Sequence, residues 1–519
     1  MAGLDIAKRS VRGSLVLFVG NFGATAILAI TSILIARLLG PAEYGVYTLA
    51  LVLPGLMILF LGFGINNAVI RYSAYYISLG KPDEARRFTT NAIYFLWLTG
   101  AAFTVLNYIL AATLSSVLLH RPDLTSYVQL TSLSIFGDTL LVTVSAVAVG
   151  LNWMSLSALT SVAQAVLKLA LSPLLILVGL GVTGALVGHV ASYILAGLLG
   201  TSILYMARLR GRTVGGRFAT DVKEMIRFGL PLYGGGLISS LATYYVTIIL
   251  AAIASNTVFG YYQAASNFVA PVTLASAALV NSLFPAFASI DGTGGNVQQA
   301  FKQAYKFVAF LLTPIILFLV ADSGLLIRIL YGSSYLGSVI YLELLALAYL
   351  PIAFGYTVHP AFFTGFARPR LTMLVYLGGA ITLLVFAPLL AILFGLGVDG
   401  LIYATFLSYF AAWATGTFLA ERYMHATMDF KANGAILLVS AISYAATILF
   451  PRVPFSNVLT LVLDLVVFFG LYLTLAPLAG AVNKTDIATM EYTFKDLKFV
   501  NVIARLIFRY ERFLTSLVS

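Results

Sequence analysis

The chain has 519 residues, of which 61% are hydrophobic and 9% charged, and its mean hydropathy is +0.99. Soluble domains carry roughly 25% charged residues, and no stretch between the apolar segments here is long enough for a folded soluble domain, so a water-soluble enzyme or binding module is excluded. Cysteine is absent, which removes disulfides, thiolate metal sites and cysteine nucleophiles.

Apolar segments of ~20 residues, enough to cross ~30 Å of hydrocarbon, recur from end to end and predict an all-α polytopic membrane protein of about fourteen transmembrane helices. Lys8, Arg9 and Arg12 precede the first, 13–37. That run is too long for the apolar core of a signal peptide and lacks a small-residue cleavage site, so it reads as a retained helix. On it Asn21, Thr25 and Ser32 share a face. Spans 46–70, 91–118 and 127–150 follow, with Asp138 at the middle of the fourth. The fifth, 155–178, carries Ser157, Ser161, Gln164, Lys168 and Ser172 along one side. After the sixth, 183–206, comes a basic segment, 207–228. Spans 229–254, 260–287, 304–321, 338–363, 370–393, 399–420, 434–450 and 457–479 complete the set. In the tail, Phe499, Val500, Ile503, Leu506, Ile507, Tyr510, Phe513, Leu514 and Leu517 keep three-four spacing, with Lys498, Arg505 and Arg512 off that face. Such an amphipathic helix either lies on the cytoplasmic leaflet or packs on the protein's own surface, and both readings are open.

The net charge of +11 sets topology. An even number of spans puts both termini on one side. Lys168 lies inside a span and only Arg37, Arg121, Arg328 and Arg452 fall on the opposite side, so the remainder of the 30 Lys and Arg share the side of the N-terminus. The positive-inside rule then places both termini in the cytoplasm of a cell-membrane protein. Nucleic acid is not expected as a partner.

The two halves repeat at an offset of about 215 residues. Gly40-Pro-Ala-Glu-Tyr-Gly-Val-Tyr47 aligns with Ser255-Asn-Thr-Val-Phe-Gly-Tyr-Tyr262, and Asn66 with Asn281. Gly179-Leu-Gly-Val-Thr-Gly184 matches Gly395-Leu-Gly-Val-Asp-Gly400, and Ser192-Tyr193 matches Ser408-Tyr409. Six spans per half give both the same orientation, a parallel repeat about an axis along the membrane normal. The expected organisation is an N-lobe, 1–206; a cytoplasmic linker, 207–228; a C-lobe, 229–420; two added helices within 434–479; and a cytoplasmic tail, 481–519. In such transporters substrate binds between the halves, and rocking alternates access.

Both glycine motifs fit the GxGxxG pattern of dinucleotide binding, but that pattern needs a preceding strand and a following helix. Here each joins two spans, and a tight turn accounts for it. Asn483-Lys-Thr485, the one glycosylation sequon, falls on the cytoplasmic side. No Asp-x-Asp, HExxH or Walker sequence is present, no cofactor is implied, and the four histidines are too scattered for a metal cluster. His189 and His359 lie inside spans, where proton coupling competes with ordinary hydrogen bonding in the bundle. The polar stripes line a water-filled cavity or bond between packed helices, and for the Ser and Thr positions alone packing is the favoured reading. A lysine at a helix centre, costing ~2.5–3.5 kcal/mol, calls for a partner or a function. Asp138, on the neighbouring helix, is the expected partner of Lys168, either as a structural pair or as part of a cavity.

Ile35-Ala-Arg-Leu-Leu-Gly-Pro-Ala-Glu-Tyr-Gly-Val-Tyr47, with Gly62 to Arg71 and Gly80-Lys-Pro-Asp-Glu-Ala-Arg-Arg87, resembles the polysaccharide transport family of the multidrug/oligosaccharidyl-lipid/polysaccharide flippase superfamily. The resemblance covers most of residues 5–480 and is most specific in the first ninety. It implies a non-enzymatic flippase that exports polyprenyl- or dolichyl-diphosphate-linked oligosaccharide by alternating access. It further implies a pathway shared with glycosyltransferases, and cationic residues in a central cavity that meet the diphosphate. Arg37 matches the motif residue; Arg71 and Lys168 fit by type and depth, with Asp138, Gln164, Asn21 and Thr25 as polar neighbours. The alternative is a cation-coupled drug or metabolite antiporter of the same superfamily, which needs an internal acidic site such as Asp138.

Overall fold

The computed structural model describes residues 2–209, 217–293, 296–449, 456–483, 486–487, 509–512 and 514. Residues 210–216 of the basic segment, Lys484 and Thr485 of the sequon, and the predicted tail face from Phe499 to Ile507, with Phe513 and Leu517, lie outside them. Every regular element among the described residues is helical. Ten of their helical segments are long and apolar enough to cross a membrane, which makes the chain a multi-pass membrane protein. Contacts divide the chain into two compact units, Met1–Gly260 and Tyr261–Ser519.

The first unit contains α1 (Ala2–Ala50), α2 (Val52–Leu59), α3 (Ile65–Ser78), α4 (Pro82–Val117), α5 (Thr125–Gly150), α6 (Met154–Leu175), α7 (Gly181–Leu204) and α8 (Phe218–Ile253). It ends in the first turn of α9 (Asn256–Thr293). Helix α1 is two helices joined at Gly40, whose φ of 73° and ψ of 172° no helix contains, with Pro41 starting the second. The first GxGxxG copy is likewise a turn, with Gly179 and Gly181 at positive φ; Gly395 and Gly397 repeat this in the second copy. Lipid supplies no hydrophobic drive between helices, so small residues set how closely they approach. A Cβ on Gly188 would lie 2.5 Å from the backbone of Ser172, which shows how tightly α6 and α7 press together. The sequence repeat assigns α8 to the second half, yet α8 packs on α2, α3 and α4. Gly64 and Gly229 meet backbone to backbone there.

The second unit runs through the rest of α9, α10 (Val297–Ala321), α11 (Ser323–Leu330), α12 (Ser338–Ala348), α13 (Val358–Gly365), α14 (Pro369–Pro388), α15 (Gly397–Met424), α16 (Phe430–Leu449) and α17 (Asn457–Leu478). The last two helices pack on α10. Tyr472 donates to the carbonyl of Phe310 at 2.9 Å, and buried Lys306 pairs with Asp486 at 2.6 Å. Asp486 also closes a reciprocal turn with Asn483, each side chain accepting from the other's backbone N–H. Farther along the tail, Glu511 and Leu514 are buried and Tyr510 bonds Thr474 at 2.9 Å, so these residues pack on the protein.

Candidate functional site

The site grows out of a defect in the second apolar segment. Pro54 has no N–H to give the carbonyl of Ala50, and helices in lipid survive such a loss only where another group repairs it. Thr131 of α5 does so, donating to the Ala50 carbonyl at 2.7 Å. This bond ties the junction of α1 and α2 to α5. Beside it lies a cavity of about 170 Å³ lined by Leu51, Pro54, Gly55, Ile58, Ser134, Asp138, His189 and Tyr193. Tyr244 of α8 abuts Gly55, where a Cβ would come within 2.3 Å of its hydroxyl.

Each polar group is aimed by helical spacing. Ser134 and Asp138 are one turn apart on α5, and His189 and Tyr193 one turn apart on α7. The His189 and Tyr193 rings lie 5.0 Å apart, and Tyr47 Oη is 3.5 Å from His189 Nδ1. Gln164 donates to Ser192 Oγ at 3.3 Å, and Ser192 donates to the carbonyl of His189 at 2.7 Å. Gln164 is buried, so it positions α7 beneath the imidazole instead of facing the cavity. Lys168 is half-buried on α6 and within electrostatic reach of His189.

The expected Lys168–Asp138 pair does not form: among the described residues no ion pair or hydrogen bond joins them. Asp138 lines the cavity, whereas Lys168 is not in its lining and acts on His189 through its charge. The rest of the fifth-span stripe is packing: Ser157 bonds Ser145 of α5, Ser161 bonds its own helix, and Ser172 donates to the carbonyl of Ala185. Thr25 likewise donates to the carbonyl of Asn21, and both are exposed on α1. Arg37 is exposed, and Arg71 stacks its guanidinium 4.4 Å from the Phe228 ring. None of these four lines the cavity. Tyr47, Ser134, Tyr193 and Tyr244 were missed from sequence, although the one-turn spacing from Asp138 and His189 pointed to two of them. His359, the other intramembrane histidine, is fully buried and bonded to Tyr305 at 2.6 Å, with Thr417 and the carbonyl of Tyr356 also in reach. Among the described residues no three His, Asp or Glu could hold a metal.

Ten long apolar helical segments, with a small polar cavity in the first unit, define a polytopic membrane protein. Residues 34–340, more than half of the chain, match the family described as polysaccharide biosynthesis protein, and the chain belongs to that family. Among solved structures it is similar to a lipid II flippase, MurJ, in an inward closed conformation. The TM-score is 0.69 at 16% identity, over 90% of this chain and 98% of that one. An inward-facing multidrug resistance transporter of the MATE family, in the MOP superfamily, gives 0.62 at 16% identity, over 81% and 94%. A MOP superfamily transporter from Pyrococcus furiosus gives 0.52 at 16% identity, over 85% and 96%. The chain therefore shares its fold with these membrane transporters, as the sequence resemblance implied. A search of curated protein sequences finds no significant match.

Proposed function

We propose that this protein is a flippase that moves lipid-diphosphate-linked oligosaccharide from the cytoplasmic to the outer leaflet. The observation that carries this reading is membership of a polysaccharide biosynthesis family by a chain with a transporter fold. The solved structure with the same fold is a flippase for lipid II, which supports a lipid-borne substrate here. Fourteen crossings belong to the proposal. The segments Leu15–Leu59 and Met154–Leu209 are each broken once by glycine and long enough to cross twice, and α8 and α15 supply the other two. So do the cytoplasmic termini, the repeat-related lobes and supply by glycosyltransferases of the same pathway.

Lys168 is the residue we assign to the anionic headgroup, since a half-buried cation without an ion-pair partner at that depth needs a reason to persist. Arg37 and Arg71 are placed at the ends of the path. The test is reconstitution in vesicles with a fluorescent polyprenyl-diphosphate oligosaccharide loaded in one leaflet. Acquired accessibility to an impermeant reducing agent supports the proposal, and accessibility equal to that of protein-free vesicles refutes it.

A second reading, cation-coupled antiport of a drug or metabolite, is favoured by Asp138 in a cavity with His189 and Tyr193. An acid and an imidazole held together in one cavity can exchange a proton or small cation. Ethidium efflux driven by a proton or sodium gradient, without lipid movement, selects this reading.

A further inference from the structure

Away from that cavity, the first three turns of α8 form a second site. Phe218, Val222 and Ile226 make one row at four-residue spacing, and Lys223 and Arg227 sit in the row beside it. With Phe95 of α4 they line an open groove of about 570 Å³, within the range of small-molecule sites. Lys223 and Arg227 are exposed, and among the described residues neither has an ion pair or hydrogen bond. The wall of the groove is fixed from behind. Asp221, on the same turns, is buried and takes Arg87 Nε at 3.1 Å and Asn91 Nδ2 at 2.8 Å.

We infer that this groove binds a membrane phospholipid with an anionic headgroup, its acyl chain along Phe95, Phe218, Val222 and Ile226 and its phosphate on Lys223 and Arg227. Charge complementarity selects the headgroup: two unpaired cations one turn apart suit a phosphate at the leaflet whose anionic lipids attract Lys and Arg. A lipid-linked oligosaccharide fits less well. Apart from the two cations, the groove offers no polar side chain to replace the water around sugar hydroxyls. The inference does not depend on what the protein transports.

The test uses the full chain with Trp97→Phe, Trp153→Phe and Trp413→Phe, plus Phe95→Trp as the one fluorophore in the groove. In mixed vesicles, brominated phosphatidylglycerol should quench it at about a tenth of the mole fraction that brominated phosphatidylcholine requires. Lys223→Gln with Arg227→Gln should abolish that preference, a loss of about tenfold. Both positions are exposed, so the charge-neutral variant keeps its fold. If the tryptophan replacements impair folding, native mass spectrometry of the otherwise unaltered chain gives the same comparison. One strongly retained phosphatidylglycerol, absent in the charge-neutral variant, is the supporting result. Equal quenching by the two lipids overturns the inference, as does a preference that survives charge removal. Displacement of phosphatidylglycerol by an equimolar polyprenyl diphosphate also overturns it, because the groove would then serve the substrate.

Discussion

Lys168 and Asp138 occupy the middles of neighbouring helices without pairing, which changes what each substitution should do. Removing one member of a buried pair strands the other and costs ~3–5 kcal/mol. No such pair exists here, so Lys168→Ala should leave the melting temperature unchanged or raise it. Transport of the lipid-linked probe should be lost in the same variant, and Lys168→Arg should retain part of it. A fall in stability that tracks the fall in transport would return Lys168 to a structural role. At the other end of the chain, burial pushes the Glu511 carboxyl up to about 7, and neither oxygen has a partner among the described residues. A carboxyl whose folded pKa is raised holds its proton more tightly when folded, so stability falls as pH rises from about 4.5 to about 7 and is level above that. Protection of residues 509–512 from hydrogen exchange, relative to the intrinsic rate at each pH, should therefore fall across this window, and Glu511→Gln should abolish the fall.

At the level of elements, the start of α8 is held by the Arg87–Asp221 pair, whose side chains are 11% and 4% exposed. Asp221→Ala leaves a buried guanidinium without its carboxylate and should destabilise by ~3–5 kcal/mol. Arg87→Met with Asp221→Leu should recover most of the loss in a thermal melt. Much of this architecture was legible in advance. Apolar length marked the spans, and the Gly-Leu-Gly-Val motifs were recognisable as turns because no strand could precede them. What sequence could not give was the partner of each polar side chain. Asp138 and Lys168 lie on adjacent spans, but helix rotation about the long axis decides whether they meet, and hydrophobic pattern leaves that angle free. Similarly, the polar stripe on α6 reads the same whether it lines water or bonds to neighbours, and Gln164 and Ser172 proved to bond α7. The repair of Ala50 by Thr131 joins residues 81 apart in sequence, and periodicity carries no signal for it.

For the whole molecule, orientation and energetics are linked. Basic residues resist translocation, so reporter fusions at Ser519 and after Gly211 should both report the cytoplasm, and an outside signal at either refutes the fourteen-span topology. An interior-negative potential favours outward movement of an anion by ~2.3 kcal/mol per charge per 100 mV. Collapsing the potential should slow flipping of a diphosphate whose charge is uncompensated, and unchanged flipping would exclude that coupling. Gly45 and Gly260, aligned positions of the repeat, touch without side chains: a Cβ on Gly45 would collide with the carbonyl oxygen of Asn256, and one on Gly260 with that of Pro41. Arg121 adds a hydrogen bond to the Asn256 side chain. Attraction between bare backbones fades steeply, and a gap of roughly 0.5–1 Å already forfeits a quarter to a half of it. Residues 41–45 and the first turn of α9 are therefore held at a separation that admits no side chain. With no side chain on either glycine to bridge a gap, the contact loses strength as soon as the backbones part.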